Sequence, residues 1–215
     1  MAITRKVEAV VLSAEGEASA SASSGSPTRF DLRAGARISP PASMVTNSDA
    51  TLALSAVPGA LVELEQESEL RLMSLKITKN GNRVQEAIRR EVRLQLERGA
   101  LVASVQFESE PAAVAIDTPA GVLSMSSPAL CRVEVRNQIT RVTCARGAVA
   151  FHPQGAASAT VQAPESREWP AGESEHIPAD FDVRAIEEIE KSKEVEQKLL
   201  GLEERRRLSP FPWRQ

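Results

Sequence analysis

The sequence has no tyrosine, and aromatic residues make up only 3% of it, as five phenylalanines and two tryptophans. The core must therefore be built from Val, Leu, Ile and Ala, drawn from the 42% hydrophobic content. Histidine and cysteine are equally scarce, at two each. His152 and His176 each lie near a proline, and no His/Cys spacing matches a zinc pattern. No glycine run has the spacing of a phosphate loop or a dinucleotide fingerprint, and no nucleophile elbow is present. No catalytic residue, metal ligand or cofactor is assigned, and the chain reads as a non-enzyme.

Other absences narrow the partners and the compartment. A net charge of -3 with pI near 5.6 provides no clustered basic face for nucleic acid. No apolar run approaches the roughly 20 residues that span a bilayer, so no transmembrane segment is expected and membrane association would be peripheral, through partners. The opening MAITRKVEAVVL lacks the apolar stretch and cleavage site of a signal peptide. The chain is then either cytoplasmic or a secreted protein whose leader has been removed.

What is present reads as short strands. At Ile116–Phe151 the sequence predicts a strand, a turn and a long hairpin. With Asn137-Gln138 as its two-residue turn, Cys131 lies opposite Cys144, Val133 opposite Val142, and Glu134 opposite Arg141. One face is apolar with a thiol pair, and the other carries an opposite-charge pair. Cys131 and Cys144 are a candidate disulfide, favoured only in an oxidising compartment, or else two small buried apolar residues.

Strand patterns also run from Lys6 to Ala18, through Leu52 and Leu54, and from Leu61 to Leu72, separated by turns at Gly35, Pro40-Pro41, Asn47-Ser48-Asp49 and Pro58-Gly59. Ser19–Pro27 reads as a polar low-complexity loop. Asn80-Gly81 is a strong hairpin signal. The following Arg83–Glu97 is ambiguous between helix and strand in its first half and strand from Arg90. Gly99 should break that strand, with another beginning at Leu101. After Phe151 one more short strand is expected around Thr160–Gln162, then a Pro-rich exit.

Glycines at 35, 59, 99, 121, 147 and 172 recur at intervals of 24, 40, 22, 26 and 25. Such a beat suggests one kind of corner turned repeatedly, although glycines mark turns in any all-β domain. The expected class is mainly β: a repetitive solenoid-like or twisted-sandwich domain, followed by one C-terminal α-helix and an extended tail.

Composition shifts at Pro178. From Asp180 to Arg207 the chain is dense in Glu, Lys, Arg, Ile and Leu, with Asp180 or Asp182 as a candidate N-cap. Val183, Ile186, Ile189, Val195, Leu199 and Leu202 form a narrow stripe interrupted at Ser192-Lys193. Such a helix docks through one seam, on its own β-domain or on a partner. The tail LSPFPWRQ presents Phe211 and Trp213 either as a docking peptide or folded back over the core. Ile186, Ile189, Val195, Leu199, Leu202, Phe211 and Trp213 are thus the candidate partner-docking residues. The expected organisation is a β-domain at 7–177, the charged helix at 178–208 and the tail at 209–215.

The order Leu32, Gly35, Ile38, then Thr46, Ser48, Leu52, Leu54 and Gly59, then the Gly99 step, Thr118-Pro119 in IDTPAGV and VTCARGAV resembles the FecR domain, from roughly Val7 to Glu173. The sequence departs from that pattern at Pro128–Val133, where a Gly-Thr-x-Phe-x-Val element is expected. The resemblance implies an all-β, extracytoplasmic, non-enzymatic domain that binds other proteins, placing the chain in the periplasm or at the cell surface. FecR regulators carry an anti-sigma region and a membrane helix ahead of the domain. Neither is in this chain, so the resemblance favours a scaffolding subunit of an envelope complex over a ligand-sensing or glycan-binding relay domain.

Overall fold

The computed structural model describes residues 2–22, 29–80, 87–107, 112–126, 128–169 and 183–208. Among these residues two β-sheets face each other across one apolar core, and a single helix, α1 (Val183–Leu208), covers the outer face of one of them.

Sheet A runs in the order β4 (Arg29–Asp31), β3 (Ala18–Ala22), β6 (Ala42–Thr46), β9 (Glu69–Asn80), β10 (Ala87–Val105), β11 (Ala112–Thr118), β12 (Gly121–Met125), β15 (Ala148–Pro153), β16 (Ala159–Gln162). The short β1 (Ala2–Lys6) pairs with the far end of β9, beyond β6. Sheet B runs β5 (Arg37–Ile38), β2 (Ala9–Glu15), β7 (Thr51–Val57), β8 (Ala60–Leu64), β10 again, β13 (Ala129–Arg136), β14 (Ile139–Arg146), β17 (Ser166–Trp169). Among the described residues each sheet is open, with β4 and β16 at the edges of one and β5 and β17 at the edges of the other. The expected twisted sandwich is the architecture found, and β10 belongs to both halves.

Only part of the glycine beat turns one kind of corner: Gly59 and Gly121 sit at hairpins within one sheet, Gly121 without positive φ, and Gly172 lies outside the described residues. The chain crosses between sheets at Gly16, Gly99 and Gly147, all with positive φ, and at Glu67, which also adopts positive φ. A left-handed residue turns the backbone sharply without ending the ladder on either side. Gly99 carries a second constraint: a β-carbon there would lie 2.1 Å from Ser68 Oγ. This close approach lets Ser68 Oγ accept from the Ala100 amide at 2.8 Å while Thr46 Oγ1 donates to the Glu65 carbonyl at 2.5 Å, so the buried corner is satisfied by hydroxyls. Beyond the corner the chain returns to sheet A, so β11 lies parallel to β10.

Several expectations need correction. Gly99 bends rather than breaks its strand, because the register shifts beside it let β10 continue from sheet A into sheet B. Ser19–Ala22, expected in a loop, is strand: Ala18 and Ala20 face the core while the serines alternate outward, a period-2 pattern written in small residues. Ser166–Trp169, expected in a Pro-rich exit, is β17, anchored by Trp169 stacked on Phe151 at 4.1 Å between ring centroids. The ambiguous segment is strand from Ala87. Gly81 of the Asn80-Gly81 turn, residues 83–86 and the candidate N-caps Asp180 and Asp182 lie outside the described residues, while Asn80 ends β9, and β9 and β10 pair as a hairpin.

Candidate functional site

Among the described residues, the buried charged side chains are concentrated where α1 meets sheet B. Alternation along each strand sends one set of residues to the core and the other outward. On β8 Leu61 and Glu63 point outward with the adjoining Glu65, on β13 Leu130, Arg132 and Glu134, and on β14 Arg141 and Thr143. α1 lies over this face. At one end the contact is apolar, with Val195 and Leu199 against Leu12, Ala53, Leu61, Val102 and Leu130. Over the rest it is ionic.

Arg132 is the centre of the ionic part. Its Nε and Nη2 donate to the two Glu65 carboxylate oxygens at 3.1 Å each, and its Nη1 donates to Glu134 at 2.7 Å and to Glu188 of α1 at 3.0 Å. Glu188 is shared further: Arg141 Nε donates to it at 3.1 Å and Thr143 Oγ1 at 2.5 Å. From the helix, Arg184 reaches Glu134 at 2.6 Å and Lys191 reaches Glu65 at 3.0 Å. Arg136 pairs with Glu134 from the strand end. Arg132, Glu134 and Glu188 are all more than nine-tenths buried.

Two smaller clusters continue the seam. Arg146 forks onto both oxygens of Glu196 at 2.6 and 2.8 Å, and Ser104 and Gln106 donate to the same carboxylate. Lys198 bridges Glu63 and Glu15 at 3.1 Å each.

Electrostatics follow from these partners. Burial alone would raise the Glu65 and Glu134 carboxyls, but the hydrogen bonds and charge of Arg132 outweigh it and hold both below the ordinary carboxylate range, with help from Lys191 and from Arg184 and Arg136 respectively. Burial wins at Glu63, whose carboxyl is pushed up because Lys198 offsets only part of its desolvation. Such groups are committed to one another, and the arrangement chemically favours holding a helix in one register rather than moving a proton.

The residues singled out from sequence fall as follows. Val195 and Leu199 are seated on the chain's own sheet, Leu202 packs partly against them, and Ile189 is buried. Ile186 is 44% exposed. Phe211 and Trp213 lie outside the described residues, as does His176. His152 is exposed and hydrogen-bonds Ser158 at 2.7 Å, and among the described residues no group of His, Cys, Asp and Glu is placed to hold a metal. Cys131 and Cys144 are opposite each other as expected, with Val133/Val142 and Glu134/Arg141, and the turn residues Asn137 and Gln138 both take positive φ.

Ser192 does not interrupt the helical stripe. It is fully buried, donates to the Glu188 carbonyl at 2.6 Å, and lies on the face formed by Ala185, Glu188, Val195, Glu196, Leu199 and Glu203. Acidity alone does not mark this face, because Glu187, Glu190, Glu194 and Glu204 of the same helix are exposed while Glu188, Glu196 and Glu203 are buried. The partners of the buried three on the sheet carried no signal in the sequence either.

The framework that positions this seam is shared with a known family. Residues 42–150, from β6 into β15 and with strands of both sheets, match the family described as FecR protein, and the chain belongs to it. No curated protein matches the chain. Two crystal structures of provisionally assigned anti-sigma factors from Parabacteroides distasonis ATCC 8503 are similar to it. The first, at 12% identity and TM-score 0.44, is covered over 56% of its own length by 62% of this chain. The second, at 11% identity and TM-score 0.44, is covered over 74% of its length by 69% of this chain. The chain thus spans little more than half of the first. No helix described is long and apolar enough to cross a membrane, which leaves membrane-crossing strands unaddressed.

Proposed function

We propose that this chain is a non-enzymatic protein–protein interaction module, a scaffolding subunit of an extracytoplasmic assembly in a bacterial envelope. The observation that carries the reading is the division of α1. Its inner face is locked to sheet B by the ionic seam, while Val183, Ile186 and Leu208 remain 70%, 44% and 74% exposed. A charged helix pinned by ion pairs offers a fixed surface to a partner, with these apolar side chains at its two ends, Val183 and Ile186 in its first turn and Leu208 as its last residue. FecR membership supports a regulatory or binding role over catalysis.

The alternative is a ligand-sensing or glycan-binding relay domain. An open groove of about 750 Å³ beside β2, β5 and β7 includes Lys6, Val10, Arg37, Ser55, Pro58 and Arg206 in its lining, with no aromatic side chain among the described residues for a sugar ring to stack on. Interaction through α1 is therefore preferred.

The test is a photo-crosslinking residue at Ile186 in the native host, combined with fractionation of the envelope. One dominant crosslinked protein in the periplasmic or envelope fraction is expected, and shortening the chain after Leu208 tests the tail without uncovering sheet B. A chain recovered only from the cytosol, with no crosslink from Ile186, sinks the reading.

A further inference from the structure

Cys131 and Cys144 face the core from opposed positions on β13 and β14. The backbone shows which kind of antiparallel pair they form. The Cys144 amide donates to the Glu165 carbonyl at 2.8 Å, on the side of β14 that carries β17, away from β13. A residue whose amide points away from its partner strand belongs to a non-hydrogen-bonded pair, with α-carbons about 4.5 Å apart and side chains at their closest approach. That spacing falls within the roughly 4.4–6.8 Å that a disulfide spans. The register shift lies just past the pair, beyond Cys131, and leaves the two cysteines matched.

We propose that Cys131 and Cys144 are a modification site, closed into a cross-strand disulfide during folding by a disulfide-carrying thiol oxidase or an oxidised small thiol. In that exchange the pair loses two protons and two electrons, one S–S bond forms between the cysteines, and the donor's disulfide is reduced to two thiols. The bridge forms before the core closes. The structure shows the pair as free thiols, both fully buried, Cys131 against Met125 and Cys144 against the Arg146 and Gly147 carbonyls. Burial pushes Cys144 up to about 11 and Cys131 higher still, so neither supplies an attacking thiolate once packed. The hairpin is local, with its turn at Asn137-Gln138, and can pair before distant strands arrive. Closing it ties together the strands that carry Arg132, Glu134, Arg141 and Thr143, the groups that grip α1.

The geometry is independent of the compartment, whereas use of the site in the cell rests on the extracytoplasmic reading. Two measurements separate them. Reduced, urea-unfolded full chain is refolded in a glutathione redox buffer, and thiols are also trapped by alkylation in unreduced native cells. Refolding is expected to give a product 2 Da lighter, with no alkylated cysteine and a Tm about 5–10 °C above that of the Cys131→Ser/Cys144→Ser double variant. Refolding to a native chain with two free thiols overturns the bridge itself. Bridging in the tube with two alkylated thiols in cells overturns the modification in the native chain, while the envelope fractionation decides the compartment separately.

Discussion

Arg132 and Glu65 form a bidentate pair, both bonds 3.1 Å, on the face of sheet B that α1 covers rather than on the face that makes the core. Replacing Arg132 by Met leaves Glu65, Glu134 and Glu188 without their shared cation in a buried seam. A loss of about 3–5 kcal/mol is expected in urea unfolding. The combined variant Glu65→Leu/Arg132→Met/Glu188→Leu should recover much of it, since removing the charges together leaves fewer uncompensated ions. Equal loss in both variants would contradict a network account.

Acid should weaken the molecule in a defined direction. Glu65 and Glu134 have folded-state pKa values below the ordinary 4.5, so their stabilisation is present above that pH and is lost as pH falls through the folded values. Glu63 acts oppositely: its raised value gives stability that is present below 4.5 and lost as pH rises through the folded value. Tm measured across this range should show a shallower acid limb in Glu65→Gln and a smaller loss toward neutrality in Glu63→Gln. An unchanged acid limb in Glu65→Gln would contradict the assignment.

Ser192 is fully buried at the helix–sheet contact. Ser192→Leu should cost about 1–3 kcal/mol by forcing the helix away, while Ser192→Ala, losing only a bond to the Glu188 carbonyl, should cost under about 1 kcal/mol. Thermal unfolding ranks the two, and a tolerated leucine would mean the helix rides higher than described.

Gly99 combines φ of +85° with a β-carbon position 2.5 Å from the Ser68 backbone. Gly99→Ala should cost at least about 2 kcal/mol, read from chemical denaturation. Gly155, with φ of +75° and nothing within 4 Å of its would-be β-carbon, is the comparison, since Gly155→Ala carries the backbone penalty alone.

The hairpin at Asn137-Gln138 was legible because a two-residue turn and a period of two leave one register that keeps Cys131, Val133, Val142 and Cys144 on one face. The helix was legible from its composition and stripe. The fate of the charges was not. Glu91, Arg93 and Glu97 alternate along the sheet A half of β10 and remain at the surface, pairing with Lys76, Asp117 and Arg71. Glu63 and Glu65, and Arg132 and Glu134, alternate in the same way and are buried. Local pattern is identical in the two cases, because it records only that a residue points away from the core.

The sequence by itself determined the class: alternating strands, corners at glycines that tolerate positive φ, and one amphipathic helix after Pro178. These follow from short-range sterics and periodicity. Only the tertiary structure decided that β10 serves both sheets, that Ser19–Ala22 and Ser166–Trp169 are strands, and that α1 closes over sheet B. Those outcomes depend on which distant surfaces meet. Arg132 becomes the centre of a buried seam only when Glu65, 67 residues away, and Glu188, 56 residues away, arrive beside it.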